Sequence, residues 1–351
     1  MREYDIAVVG AGPAGSVFAR EVLRVCKELK VAVINGQTRE SAKVCGGLLA
    51  PDAQKLLARF DMTLPKSVLS DPQIFAVETI DLVTKQVRYY QRHYLNMDRF
   101  AFDSWLLSLA EGADIIEGRC TEIERAGAGF VLTVGGEKIR ADVLVGADGA
   151  NSIVRRRFFS KMRVRYTAIQ EWFEYRGQKT PYYSCIFDKE TSESCSWTIH
   201  KDGYVIFGGA FAAQGSREAY DRQKKRLEDF LGEPFGKALR TEACLVSSPR
   251  GMRDFVTGKG HAFLIGEAAG FISASSFEGI SSAIMSAKLL ADAFGEQKEI
   301  EKIQKAYRKK TKKLRFKLYI KTFKRAVLCS PFLRKIIMKS GFTAIEPYKK
   351  P

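Results

Sequence analysis

The chain has little of what several protein classes require. Its seven cysteines are odd in number and include no C-x-x-C pair, which argues for a reducing compartment. Three scattered histidines, His93, His200 and His261, make no ligand cluster, so no metal is expected. No apolar run approaches the roughly 20 residues that a membrane-spanning helix needs. There is no internal repeat, and the strand expected at residues 5–9 leaves no room for a cleavable leader before it. Together these absences give the expectation of a cytoplasmic protein.

What is present is a chain of 351 residues, 46% hydrophobic, enough for one large mixed domain or two that share a core. The charge is placed unevenly. Residues 301–351 hold 17 Lys or Arg against two Glu, a balance of +15, and the whole chain stands at +17, which leaves +2 for residues 1–300. The body is nearly neutral and the tail carries the excess. In that tail Phe316, Tyr319, Ile320, Phe323 and Val327 share one helical face, with Lys317, Lys321, Lys324 and Arg325 elsewhere. Phe332, Leu333, Ile336 and Ile337 suggest a second short helix. A basic amphipathic helix without a spanning segment points to an anionic membrane surface. The plainer reading is that these helices pack on the body with their lysines in solvent. Nucleic acid is not expected, because the aromatics fall on an apolar stripe and the body has no nucleic-acid module.

Three Gly-punctuated strand ends carry the chemistry. Residues 5–9 read as a strand, Gly10-Ala11-Gly12-Pro13-Ala14-Gly15 as a turn, 13–29 as a helix and 31–34 as the next strand. Strand, turn and helix are the context a dinucleotide-binding turn needs: Gly10 for the bend, Gly12 for approach of a pyrophosphate, Gly15 for close helix–strand packing. The acidic residue expected about 20 positions on, for the adenosine ribose, is Asn35 here, with Gln37 as a candidate helper. The second segment is Gly146-Ala-Asp148-Gly149, where Asp148 is either a turn residue or part of a cofactor site. The third runs over 263–280: a strand at 263–265, Gly266, the carboxylate of Glu267, small residues, then Glu278-Gly279-Ile280 opening a helix at 281–294. A helix start offers N–H groups and a positive dipole end to an anion or an electron-rich ring.

The remaining stretches are read more coarsely. Residues 41–54 form a loop entering a helix, 73–83 and 86–94 a hairpin, 99–110 a helix, 121–145 a small meander, 166–211 an antiparallel sheet and 216–231 a helix.

The three segments in this order resemble the flavoproteins built like para-hydroxybenzoate hydroxylase, over residues 1 to about 295. The resemblance implies an α/β fold with α+β elements: a Rossmann-like FAD-binding domain, an inserted antiparallel-sheet substrate domain and a helical C-terminal tail. It divides the chain into a discontinuous FAD domain (1–70, 95–165 and 250–295), a substrate domain (71–94 and 166–249) and a basic helical region (296–351). Carried over, Gly10, Ala11, Gly12, Pro13, Ala14 and Gly15 bind the FAD pyrophosphate and Asn35 the ribose. Arg99 approaches the phosphates or adenine, and Cys120 lies near adenine through its backbone. Asp148 supports the cofactor region. Gly266 and Glu267, the latter where the family has Asp, take the ribityl chain, and Gly279 and Ile280 face the flavin N1/O2 edge.

Within that superfamily, Val44-Cys45-Gly46-Gly47-Leu48 and Trp197 resemble the geranylgeranyl reductase branch, which has a Cys-Gly-Gly loop near the flavin and a Tyr-x-Trp-x-Phe-Pro-Lys strand lining the substrate cavity. This chain reads Cys195-Ser-Trp197-Thr-Ile199-His200-Lys201, keeping Trp and Lys and lacking Tyr, Phe and Pro. Cys45, Gly46 and Gly47 then belong to the cofactor region, with Cys45 and Trp197 as catalytic candidates. Two readings of Cys45 stand, a proton donor beside the flavin or a small buried hydrophobe. Trp197 reads as cavity wall and His200 as a lone surface histidine.

The expected activity is FAD-dependent reduction of a carbon–carbon double bond in a prenyl lipid at the inner membrane surface, with NAD(P)H or a ferredoxin-like protein as electron donor. The alternatives are an FAD monooxygenase of an aromatic or lipid substrate and a non-enzymatic membrane flavoprotein. The oligomeric state is not legible.

Overall fold

A computed structural model describes residues 1–39 and 43–346. It divides the chain into two compact units, each assembled from three stretches: residues 1–42, 100–164 and 247–320 in the first, and 43–99, 165–246 and 321–351 in the second. Residues 43–70, expected with the first, thus fall in the second, where Leu48–Leu49 pairs with strand Gln86–Asn96.

The first unit is built on parallel strands. Val31–Asn35, Arg2–Val9, Glu137–Gly146 and Ala262–Leu264 lie side by side, and Asp114–Glu117 extends one edge. Their near-continuous apolar character follows from burial on both faces. The expected meander is present as Cys120–Ala126, Gly129–Val134 and Glu137–Gly146, but its last strand is also a central strand of the parallel sheet. The first helix, Pro13–Val25, ends four residues before the expected limit, because Leu29 closes a turn onto the Cys26 carbonyl that lets the chain enter the strand at Val31. It packs on Ile280–Glu296 through Phe18 and Phe294, and Lys288 reaches its buried Glu21. Helix Ile300–Lys310, expected as part of the basic tail, belongs to this core: Ile303 and Tyr307 are buried and the Tyr307 hydroxyl donates to the Leu264 carbonyl at 3.0 Å.

The second unit is a large sheet in the order Arg240–Ser247, Arg165–Glu174, Tyr204–Ala212, Cys195–Lys201, Tyr182–Phe187, Ile74–Asp81, Gln86–Asn96 and Ala344–Ile345. The expected antiparallel sheet needs one correction. Tyr182–Phe187 and Ile74–Asp81 run parallel, which no turn forbids, since about a hundred residues rather than a hairpin connect them. One face packs under helix Ser216–Leu231, with Ile169, Phe173, Ile186, Phe207 and Phe211 against Tyr220 and Leu227.

The last helix, Pro331–Ser340, is fastened to this unit by a buried ion pair. Arg334 donates to Asp81 at 2.7 Å, its guanidinium lies 4.7 Å from the Phe187 ring centre, and Arg88 donates to the Met338 carbonyl. Burial alone would raise the Asp81 carboxyl, but the Arg334 guanidinium and the Thr84 N–H hold it below its usual range. Its stabilisation is therefore present above the unfolded carboxylate value, about 3.9, and is lost as pH falls through the lower folded one. Replacing Arg334→Met strands a buried carboxylate and should cost about 3–5 kcal/mol in urea unfolding. The double variant with Asp81→Leu should recover part of that loss, and no recovery would show that the pair is not the anchor.

Candidate functional site

In the first unit the three Gly turns converge on the start of the Pro13–Val25 helix. Gly10 has φ +108°, and a Cβ there would lie 2.7 Å from the Ala147 carbonyl oxygen and 3.0 Å from the Asp148 Cα. A Cβ on Gly15 would overlap the Gly10 carbonyl. Gly266, at φ +57°, lies where a Cβ would be 2.8 Å from that of Ala14. The roles read from sequence for Gly10 and Gly15 are thus met by contact. Around Gly12 nothing lies within 4 Å of a Cβ position, and Gly12 caps a helix whose first turn has no side-chain cap. Open space beside unsatisfied helical N–H groups suits an anion. Ala11 is buried and its carbonyl accepts the Ser16 hydroxyl, which fixes the turn, while Pro13 opens the helix.

Asn35 ends the second strand, where its amide donates to Glu117 at 3.1 Å and its side-chain oxygen accepts from the Gln37 backbone N–H. Gln37 thus engages Asn35 through its backbone N–H. Glu117, its partner in the neighbouring strand, places a carboxylate beside Asn35 where the second strand has none. Sequence reasoning missed Glu117 because strand order sets this proximity, at a separation of 82 residues.

Asp148 accepts the Ile153 N–H at 2.6 Å through one oxygen, while the other is sealed from solvent with no partner among the described residues. Burial pushes its carboxyl up. Burial, with the Asp148 charge next, also pushes the Cys120 thiol up to about 12, so Cys120 stays a neutral thiol facing Asp148. Glu267 accepts the Ser247 backbone N–H at 2.7 Å. The neighbouring Ser247 and Ser248 hydroxyls are buried with no partner among the described residues. Buried Arg155 secures this turn by donating to the carbonyls of Ala268, Asp254 and Ser160 at 2.8–2.9 Å. Phe277, with φ +52°, takes a left-handed conformation that is rare for an aromatic residue, three positions before helix Ile280–Glu296. Gly279 caps that helix without a side-chain bond and Ile280 begins it.

These residues fit FAD. The open Gly12 and its helix start suit the pyrophosphate, Asn35 with Glu117 a ribose, the unpaired Asp148, Ser247 and Ser248 oxygens further polar contacts, and the Gly279–Ile280 helix start an electron-rich ring edge.

The second unit holds the other candidates. Strand Cys195–Lys201 presents Trp197, Ile199 and Lys201 on the face opposite the helix-packed core, by strand alternation. The Cys45–Gly47 loop lies across this face. A Cβ on Gly46 would overlap Ile199 and lie 3.5 Å from the Trp197 indole nitrogen. Cys45 Sγ accepts the Gly47 N–H at 3.4 Å. Gly208, Trp197's partner in the next strand, leaves room for the indole, since a Cβ there would approach it to 2.7 Å. The indole N–H is buried with no partner among the described residues. Lys201, noted in the sequence only as the lysine this strand keeps and not as a site residue, is buried beside Gly47.

Arg99 opens helix Arg99–Ser108, half-buried. His200 corrects the expectation of a surface histidine: its ring stacks on Tyr175 at 4.4 Å and accepts the Thr180 N–H, and burial pushes its pKa down.

The chain matches the family model of the FAD dependent oxidoreductases over residues 52–293. It is 43% identical to Protein CbrA of Escherichia coli O6:H1, over 99% of this chain and 96% of that one. Among solved structures it is similar to a geranylgeranyl bacteriochlorophyll reductase-like protein from Thermoplasma acidophilum, with TM-score 0.79, 20% identity and coverage of 96% and 91%. It is also similar to p-nitrophenol 4-monooxygenase from Pseudomonas putida, with TM-score 0.73, 14% identity and coverage of 97% and 93%.

Gly12→Val tests the cradle, because the new side chain meets only open space. The variant should keep the wild-type unfolding midpoint and lose at least tenfold in FAD affinity, about 1.4 kcal/mol, measured by flavin fluorescence quenching. Retained affinity would remove Gly12 from the site.

Proposed function

The chain belongs to the FAD-dependent oxidoreductases, and we propose that it reduces a carbon–carbon double bond of a prenyl lipid at an anionic membrane surface. The observation that carries the chemistry is the Cys45–Gly46–Gly47 loop pressed on the Trp197 face. FAD, when bound and reduced, supplies a hydride from its N5. Cys45 is the proton donor for the second carbon, leaving a thiolate that solvent reprotonates. Trp197 and Ile199 form the wall, apolar enough to hold an isoprenoid chain and exclude water. NAD(P)H visiting transiently, or a ferredoxin-like protein, is the donor we favour.

The membrane half of the proposal rests on two helices. In Lys312–Cys329, Phe316, Ile320, Phe323 and Val327 are spaced four, three and four apart and lie on one stripe, 37–60% exposed. Leu318, on the opposite side, is buried. Lys312 flanks the stripe on one side, and Lys313, Lys317 and Lys324 on the other. In Pro331–Ser340 the buried Arg334 and Met338 face the sheet, while Phe332 and Ile336, 70% and 52% exposed, point away with Lys335 and Lys339 at the rim. A helix docked by one face ordinarily turns a polar face outward. These two turn an apolar stripe rimmed by lysine, which matches an anionic lipid interface, where each basic residue contributes about 1 kcal/mol. Among the described residues no helix is long and apolar enough to cross a membrane, so the contact is peripheral in this reading.

A hydroxylase is the second reading, favoured by the shared fold with p-nitrophenol 4-monooxygenase. Anaerobic turnover of reduced protein with prenyl lipids separates the two: saturated product without oxygen supports reduction, and oxygen uptake coupled to a hydroxylated product replaces it with the alternative. Cys45→Ser should slow reduction by about 10²–10⁴-fold with the FAD absorbance unchanged, and wild-type turnover would discard Cys45 as the acid.

Deleting residues 301–351 is a poor probe, since Tyr307 and Arg334 are buried parts of the two units. Full-length Phe316→Asp/Ile336→Asp protein should instead stay in the supernatant with phosphatidylglycerol vesicles that sediment the wild type. Equal sedimentation of both would sink the membrane proposal.

A further inference from the structure

Lys201 is 5% exposed at the end of strand Cys195–Lys201. Its Nζ donates to the Met97 carbonyl at 2.5 Å and lies 3.5 Å from that of Gly47. Among the described residues no carboxylate comes within ion-pair distance of it; the titratable groups that face it are Cys45 on the loop, Asp98 after Met97 and Asp202 in the turn after its own strand. A buried ammonium held by carbonyls alone costs the fold stability, so its presence calls for a reason other than stability.

The loop supplies one. Gly47 has φ +69°, and its Cβ position is taken by the Lys201 ammonium and the Met97 oxygen. Met97 N–H donates back to the Gly47 carbonyl at 2.8 Å. The Gly47 N–H reaches Cys45 Sγ. Gly46 meanwhile is pressed on Trp197 and Ile199 of the same strand face. The loop therefore touches the strand at successive outward positions, and Lys201 is the only one of these contacts that is charged.

We propose that Lys201 is a positioning residue: its ammonium pins the Cys45–Gly46–Gly47 loop to the strand end and so holds the Cys45 thiol on the Trp197 face. That Cys45 acts on substrate rests on the function proposed above; the pinning does not.

Burial pushes the Lys201 pKa down to about 8, against the attraction of Cys45, Asp202 and Asp98. The unfolded chain, with an ordinary lysine near 10.4, binds more protons between those values, so global stability should rise with pH across that window. The charged clamp weakens over the same window. Local loop order and global stability thus move in opposite directions above about pH 8, which a purely structural lysine would not produce.

Hydrogen–deuterium exchange of the peptide covering residues 43–49, in full-length protein with FAD, tests this directly. Corrected for intrinsic rates, wild-type loop protection should fall about tenfold as pH rises through about 8, the worth of one charge-assisted hydrogen bond. Lys201→Met should lose that protection already at neutral pH, lose the pH step, and raise the thermal midpoint by several degrees. Protection that is flat with pH in the wild type overturns the proposal even if Lys201→Met fails to fold, as does a Lys201→Met loop protected like the wild type. Because exchange is read without substrate, a chain that proves to be a hydroxylase leaves this test intact. If Cys45 does act, Lys201→Met should lower kcat more than it changes KM.

Discussion

Three chain reversals have to close on the first turn of one helix, and the first unit is organised by that demand. Gly10 admits the Ala147–Asp148 turn, Gly15 admits the Gly10 carbonyl, and Gly266 admits Ala14. A methyl group at any of them would push apart turns and the helix start that the parallel strands bring together. At this junction two helix starts carry no side-chain cap, and oxygens of Asp148, Ser247 and Ser248 are buried without partners among the described residues. Packing alone would not retain such features, because unpaired buried polar atoms are destabilising. A dinucleotide accounts for them, and membership of the FAD-dependent oxidoreductases agrees.

The second unit solves a different problem, a sheet with two unlike faces. One is an aliphatic and aromatic core under a long helix. The other carries Trp197, Ile199 and Lys201, covered by a loop whose two glycines are required by contact with those side chains. Gly208 repeats the logic, since the indole lies where its side chain would be. The result is a strand with three outward residues, Trp197, Ile199 and Lys201, in contact with one loop, at a cost in stability that buried Lys201 makes explicit.

The C-terminal helices join these themes to surface chemistry. Helix Ile300–Lys310 is core, although it is as rich in lysine and arginine as the two helices after it. In those two a buried residue, Leu318 or Arg334, sets which side faces the protein, and that choice leaves the apolar stripe exposed. Charge alone does not separate the three helices; the burial of Tyr307, Leu318 and Arg334 does.

The strand–turn–helix at Gly10–Gly15, the hairpin, the meander, the helix at Ser216–Leu231 and the family were legible in the amino-acid order, because each depends on local periodicity and on glycines whose conformation few other residues adopt. Cys45 and Trp197 were singled out there as well, and the fold lays the Gly46–Gly47 part of that loop on the Trp197 face, while their chemical roles belong to the proposed function. Folding alone set Glu117 beside Asn35, Lys201 under the Cys45 loop and Asp81 against Arg334, at separations of 82, 154 and 253 residues. It also set the parallel pairing in the second sheet and the half-buried, stacked position of His200. The physical reason is common to all of them. Strand order and helix docking bring distant polar groups together, and their partners are chosen by burial, which no local pattern records.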